Sequence, residues 1–231
     1  MPTPISDDED TLKHLPNYNL EILKTIRYFV VENTRTARRF ISKCHLGMVI
    51  DDLEFVELNE HTESKDVEDM LKPILAGENC VIMSEAGVPA IADPGAELVA
   101  VAHRKNVRVI PLVGPSSIIM SLMASGMNGQ SFAFNGYLPI KSGDRAKRLR
   151  ELTKIATSYN QSQIFIEAPY RNEQLVATIL ETLPANMRLT IAINISAHSE
   201  QIKTLKIEEW RKTDMSSYSL RKNTAIFVIG L

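Results

Sequence analysis

Between Ser84 and Gly95 the chain reads SEAGVPAIADPG, which gathers Gly87, Pro89, Pro94 and Gly95 around the acids Glu85 and Asp93. Glycine lets backbone approach a ligand closely, and proline stiffens a turn while removing an amide donor. The loop follows an apolar run, Cys80 to Met83, that reads as the end of a buried strand. Beyond the carboxyl ends of strands is where open α/β sheets hold ligands. Taken alone, such a loop is as readily an ordinary strand-to-helix turn. Three more loops of the same kind tip the reading toward a site: VGPSS (Val113 to Ser117), FNGYLPIKSG (Phe134 to Gly143) and IFIEAPYR (Ile164 to Arg171). Their residue types suit ligand positioning. His14, His45, His103 and His198 lack metal-ligand spacing, and no metal is expected.

With TPIS (Thr3 to Ser6) and VENTR (Val31 to Arg35), these loops stand in an order that resembles the tetrapyrrole methylase superfamily. Within it, the sequence is similar to the branch of ribosomal RNA small-subunit methyltransferase I. That branch carries TPIGN, EDTR, SDAGTPxISDPG, PGPSA, FxGFLPxKxGxR and FYEAPHR. The resemblance covers nearly the whole chain and is strongest from Ser84 to Arg171.

The resemblance implies methyl transfer from S-adenosylmethionine, with positioning as the dominant catalytic device. It implies two α/β domains, 1–113 and 114–231, meeting at a cofactor cleft. Matching the motifs, Pro4, Ala86, Gly87 and Val88 would contact the cofactor, with Ile91 lining its pocket. Ser116 and Ser117 would hydrogen-bond it, and Glu167 and Ala168 would approach it from the second domain. If the acceptor is a ribose hydroxyl, here the 2′-O of a cytidine, a group must take its proton. The candidates are Glu32 and Lys141. Glu32 could equally pair with Arg35 or Arg38 on the next helical turn.

On the substrate side the expected contacts are Arg35, His61, Arg145 and Arg148. The chain as a whole has a formal charge of −2, so a nucleic-acid partner rests on local charge. One basic cluster holds Lys141, Arg145, Lys147, Arg148, Arg150 and Lys154; another holds Arg35, Arg38, Arg39 and Lys43. Both flank the expected site loops, as a phosphate backbone requires, although a charge run on a helix is commonly a solvated face.

Along the chain, apolar runs alternate with amphipathic stretches, the α/β pattern. Strands are expected at Tyr28 to Glu32, Val107 to Leu112, Ile164 to Glu167, Leu189 to Ile195 and Thr224 to Gly230. Helices are expected at Thr34 to Lys43, Asp66 to Ala76 with Gly77 as its cap, Ala96 to Lys105, Ser116 to Ala124, Arg145 to Ser158 and Asn172 to Thr182. At 231 residues and 44% apolar, the chain reads as an ordinary globular protein with a sizeable core. Cys44 and Cys80 stand outside any CxxC pattern and read as reduced thiols of a cytoplasmic protein. No apolar run is long enough to span a membrane.

Two departures from the family pattern matter. An apolar strand precedes TPIGN in the family, whereas only Met1 and Pro2 precede Thr3 here. The reading is a trimmed or misassigned start, which would leave Thr3 to Ser6 unable to hold cofactor-binding geometry. Further on, a family RELTKxHE segment is replaced by AINISAHSE, Ala192 to Glu200, which points to a changed or narrower substrate. The resemblance implies a homodimer acting on ribosomal RNA or the small-subunit particle. The alternatives are a methyltransferase on a small tetrapyrrole-like substrate and a non-catalytic cofactor-binding protein of the same fold.

Overall fold

Tyr28–Val31 forms β1, and all four of its side chains are buried. A strand buried on both faces must be covered on both, and the alternation along β1 shows how. Phe29 and Val31 join one apolar cluster with Val81 and Met83, while Tyr28 and Val30 join another with Val67, Leu71, Leu98 and Val101. β2 (Glu54–Glu57) and β3 (Cys80–Met83) flank β1 in parallel, in the order β2–β1–β3. Parallel neighbours need crossovers. These carry α2 (Thr34–Lys43) after β1, then α3 (Ser64–Asp69) and α4 (Lys72–Leu75) after β2; α1 (Asn17–Leu23) precedes β1 and α5 (Ala96–Arg104) follows β3.

This computed structural model describes all residues except Glu9, Glu60 and His61. The chain divides into two compact units, Met1–Ser116 and Ser117–Leu231. The second unit carries α6 (Ser117–Ser125), β4 (Phe132–Tyr137), α7 (Ser142–Tyr159), β5 (Ser162–Ile166), α8 (Asn172–Thr182), β6 (Arg188–Ile193), β7 (Gln201–Lys206), α9 (Ile207–Trp210) and β8 (Ala225–Gly230). Its sheet runs β4–β5–β8–β6–β7, with β4 parallel to β5 and the remaining pairs antiparallel. The pleat sorts the side chains again. Phe165, Phe227, Ile229, Leu189 and Ile191 enter a large cluster with Leu149, Leu152, Leu175 and Trp210; Ile164, Ile226 and Val228 face Ile118 and Leu122. Because β8 opposes both β5 and β6, the strands β4, β5 and β6 point the same way and end on one edge.

Two expected elements differ. Val107 to Leu112 forms no strand, and Ile110 there is 58% exposed. An apolar run becomes a strand only where a ladder partner stands beside it. The neighbouring strand β3 pairs with β1, and its Ile82 carbonyl accepts from the Met1 ammonium. The helix expected at Asp66 to Ala76 is broken into α3 and α4. Pro73 lacks an N–H and its ring crowds the carbonyl four residues back, which interrupts the ladder. Gly77 closes the second piece with φ +104° and an N–H to the Ile74 carbonyl. Three strands, β2, β4 and β7, stand outside the sequence expectations.

Candidate functional site

In the first unit, all three parallel strands end on one edge, and the residues that follow them form the candidate site. Glu32 follows β1, and its Oε2 accepts the Glu85 N–H at 3.0 Å. Asn33 caps α2, accepting the Thr36 N–H at 3.0 Å, which explains why an uncharged amide serves at this position. The Thr36 hydroxyl donates to Glu85 Oε1 at 2.7 Å, and Glu57 at the end of β2 accepts the Thr34 N–H at 2.8 Å. Glu32, Asn33, Asn59, Glu85, Ala92, Asp93 and Pro94 line an open depression of about 560 Å³.

Backbone strain concentrates beside that depression. Gly87, Ala90, Ala92 and Gly95 all have positive φ, at 79°, 66°, 64° and 124°. For alanine the left-handed region costs roughly 1–3 kcal/mol per residue, and such strain clusters at ligand sites. At Gly87 a Cβ would find only ordinary contacts, 3.7 Å to the Pro115 carbonyl and 3.9 Å to Ile5, so the requirement for glycine there is conformational. The loop is pinned from the chain start. Thr3 N–H donates to the Gly87 carbonyl at 2.8 Å, and Gly87 N–H returns to the Thr3 carbonyl at 3.2 Å. Thr3, in the loop expected to be unable to hold cofactor-binding geometry, is bonded to Gly87 through both its backbone groups.

Asp93 is the acid the sequence reading left without a role. Burial pushes its carboxyl up to about 6, the nearby charges of Glu32 and Glu85 add to the rise, and a hydrogen bond from Ser84 opposes it. Its presence in the PG-flanked loop was the available signal; its setting depends on the left-handed residues Ala90 and Ala92 around it.

Around the depression, Ala86 is exposed, Gly87 is buried, and Pro4 and Val88 are half-buried. Ile91 is 54% exposed, an apolar side chain offered to solvent. Arg35 is exposed on α2. Its neighbours are already engaged: Arg38 pairs with Asp51, Arg39 with Asp7 at 3.1 Å, and Lys43 donates to the Asp8 carbonyl at 2.9 Å. Among the described residues, neither Arg35 nor Arg38 pairs with Glu32. His61 lies outside the described residues. Ser116 and Ser117 are half-buried at the end of the first unit and the start of the second.

In the second unit, Glu167 stands one residue beyond β5 with its side chain fully buried. Oε1 accepts the Ala168 N–H and Arg171 Nε, both at 2.8 Å, and Arg171 Nη2 at 2.5 Å. Oε2 is buried with no donor. The amide oxygens of Asn19 and Asn172 are stranded likewise, but a carboxylate oxygen is the costlier one to leave unsatisfied. A ligand donor at Oε2 would relieve that cost, so this residue fits the cofactor role assigned to it.

The basic cluster is not one exposed face, and Arg145 is corrected. Only 4% exposed, its guanidinium donates to Thr178 Oγ1 at 2.9 and 3.1 Å and to the Ile140 carbonyl at 3.3 Å. It braces α7 on α8 and is sequestered from a phosphate. Arg148 is half-buried, bridging Glu151 at 3.2 Å and Asn135 Oδ1 at 3.1 Å; it thereby holds the bulge in β4. Lys141, Lys147, Arg150 and Lys154 are exposed. Among the described residues no group of His, Cys, Asp and Glu could hold a metal ion, and no helix is long and apolar enough to cross a membrane.

No family model matches the chain. Individual proteins do. It is 29% identical over 209 residues to ribosomal RNA small subunit methyltransferase I of Vibrio cholerae serotype O1, covering 90% of this chain and 68% of that protein. The protein of the same name from Escherichia coli O157:H7 is 28% identical over 232 residues, covering 99% and 76%. That of Xylella fastidiosa reaches 33% over 170 residues, covering 74% and 59%. Among solved structures, the cobalt precorrin-4 methyltransferase CbiF superimposes with a TM-score of 0.60 at 13% identity, covering 94% of this chain and 89% of the other. The methyltransferase CobJ gives 0.59 at 12%, covering 93% and 87%. At such identities the superposition speaks for the fold alone. The chain is thus similar in sequence to proteins named ribosomal RNA small subunit methyltransferase I, and it shares the fold of the methyltransferases CbiF and CobJ.

Proposed function

We propose that this protein is an S-adenosylmethionine-dependent methyltransferase of ribosomal RNA, acting on the ribose 2′ hydroxyl of a cytidine as a cytoplasmic homodimer. The observation that carries the reading is the likeness, over 90% of the chain, to a protein named for ribosomal RNA methylation. When bound, S-adenosylmethionine supplies an activated methyl group for in-line displacement. The chain's own residues then need to hold, orient and move one proton.

Pro4, Ala86, Gly87, Val88 and Ile91 would hold the cofactor in the first unit, with Ser116 beside them. In the second unit, Ser117, Glu167 and Ala168 would do so. Glu167 Oε2 would accept a cofactor N–H or O–H, since it is buried and lacks a donor. As the acceptor oxygen loses its proton, a carboxylate beside it serves as base. Glu32 suits that task better than Lys141. It lines the depression with Asp93, and the Glu85 N–H fixes one of its oxygens. Lys141 is exposed at the start of α7 and suits phosphate contact, as does Arg35 on α2. The exposed lysines of α7 also favour a polyanionic substrate over a small tetrapyrrole.

Calorimetric titration with S-adenosylmethionine tests the reading. The native chain should bind, and Gly87→Val should lose at least tenfold in affinity while still melting cooperatively. A folded Gly87→Val with native affinity contradicts the loop assignment, and a native chain that binds no cofactor contradicts the function.

A further inference from the structure

The carboxyl edge of the second sheet carries two exposed aromatic rings that neither the fold nor cofactor binding explains. Tyr137 is the last residue of β4, in register with Ile166, the last residue of β5, and it is 63% exposed. Tyr170 lies just beyond β5 and is 68% exposed. Single exposed rings are common, and Tyr18 and Tyr159 are exposed too; what sets these two apart is their place at one strand-end edge and the support beneath Tyr170.

Tyr170 is not a loose side chain. The Arg171 guanidinium lies 5.3 Å from its ring centroid, and that guanidinium is fixed by two bonds to the buried Oε1 of Glu167. One face of the ring is thus supported by a cation that cannot wander, and much of the ring remains open to solvent. Such a platform loses little side-chain entropy when a flat partner stacks on it. The local charge identifies the partner's sign. Residues 142–159 hold five Lys and Arg against two acids, and Lys141 and Lys147 are exposed at the start of that helix, which follows Tyr137 in the chain. A flat, apolar-faced and negatively charged partner is an unpaired stretch of RNA, whose splayed bases stack on aromatic rings while its phosphates meet lysines.

We infer that Tyr137 and Tyr170 are stacking platforms for unpaired bases of the RNA substrate, with Arg171 preorganising Tyr170 and Lys141 and Lys147 meeting the backbone. The inference rests on the RNA-directed function above and adds the form of RNA recognised: single-stranded, read through base faces.

The test uses the full chain and a short single-stranded RNA carrying 2-aminopurine, whose fluorescence is quenched on stacking. Tyr137→Ala and Tyr170→Ala should each weaken binding roughly tenfold and reduce quenching, whereas Tyr137→Phe and Tyr170→Phe should keep both. Affinity for S-adenosylmethionine should stay native in all four, which also reports that they fold. A fully paired RNA of the same length should compete poorly. Native RNA affinity in both alanine variants overturns the inference while leaving the function standing, as does equal loss in the phenylalanine variants. A native chain that binds cofactor but neither RNA form overturns both.

Discussion

The two strand-end edges of this molecule are built by opposite means. In the second unit the edge sits on a deep apolar cluster, where Phe165, Phe227 and Trp210 are wholly buried, and its polar residues are locked by charge-assisted bonds such as Glu167 to Arg171. In the first unit a three-stranded sheet carries a loop whose shape depends on left-handed backbone and on one two-way bridge from Thr3 to Gly87. One edge is rigid because its foundation is; the other is held in a strained form by a few hydrogen bonds. On the function proposed above, the first edge would serve as a backbone cradle for the cofactor and the second as a platform for the substrate.

The largest effect is expected in the second core. Phe227 stacks on Phe165 with centroids 5.9 Å apart, and both are fully buried. Phe227→Ala should therefore cost about 3–5 kcal/mol through lost transfer energy and a residual cavity. Chemical denaturation checks this, and a loss below about 1 kcal/mol would mean that the core is not the foundation described.

A smaller effect is expected at the first edge. Asp93 has its carboxyl raised from the ordinary 3.8 to about 6, chiefly by burial. The folded state then holds the proton more tightly than the unfolded state. Its contribution therefore falls as pH rises from about 4 to 6, and above that range the folded form carries an unfavourable charge. Asp93→Asn should raise the melting temperature at pH 7 and should not do so near pH 4. A variant that melts like the native chain at both values contradicts the assigned setting of Asp93.

Much of this architecture was legible in the residues, and what was missed shares a cause. Thr34–Lys43 and Asn172–Thr182 form helices where the sequence places them. The three unforeseen strands β2, β4 and β7 all lie at sheet edges, where reduced burial weakens the apolar signal. Val107 to Leu112 shows the converse: apolar enough for a strand, it has no ladder to join. At the site, the Gly and Pro spacing marked the loop after β3, since glycine and proline act locally. Arg145 could not be read that way. Its burial depends on Thr178, 33 residues on, and arginine is otherwise a surface residue.

The most direct measurement of the central claim is mass spectrometry of small-subunit ribosomal RNA from cells that lack this gene, with and without the gene restored. The account predicts that one methyl on a cytidine ribose disappears, returns with the native chain, and does not return with Gly87→Val. Ribosomal RNA whose methylation is the same with and without the gene would contradict it.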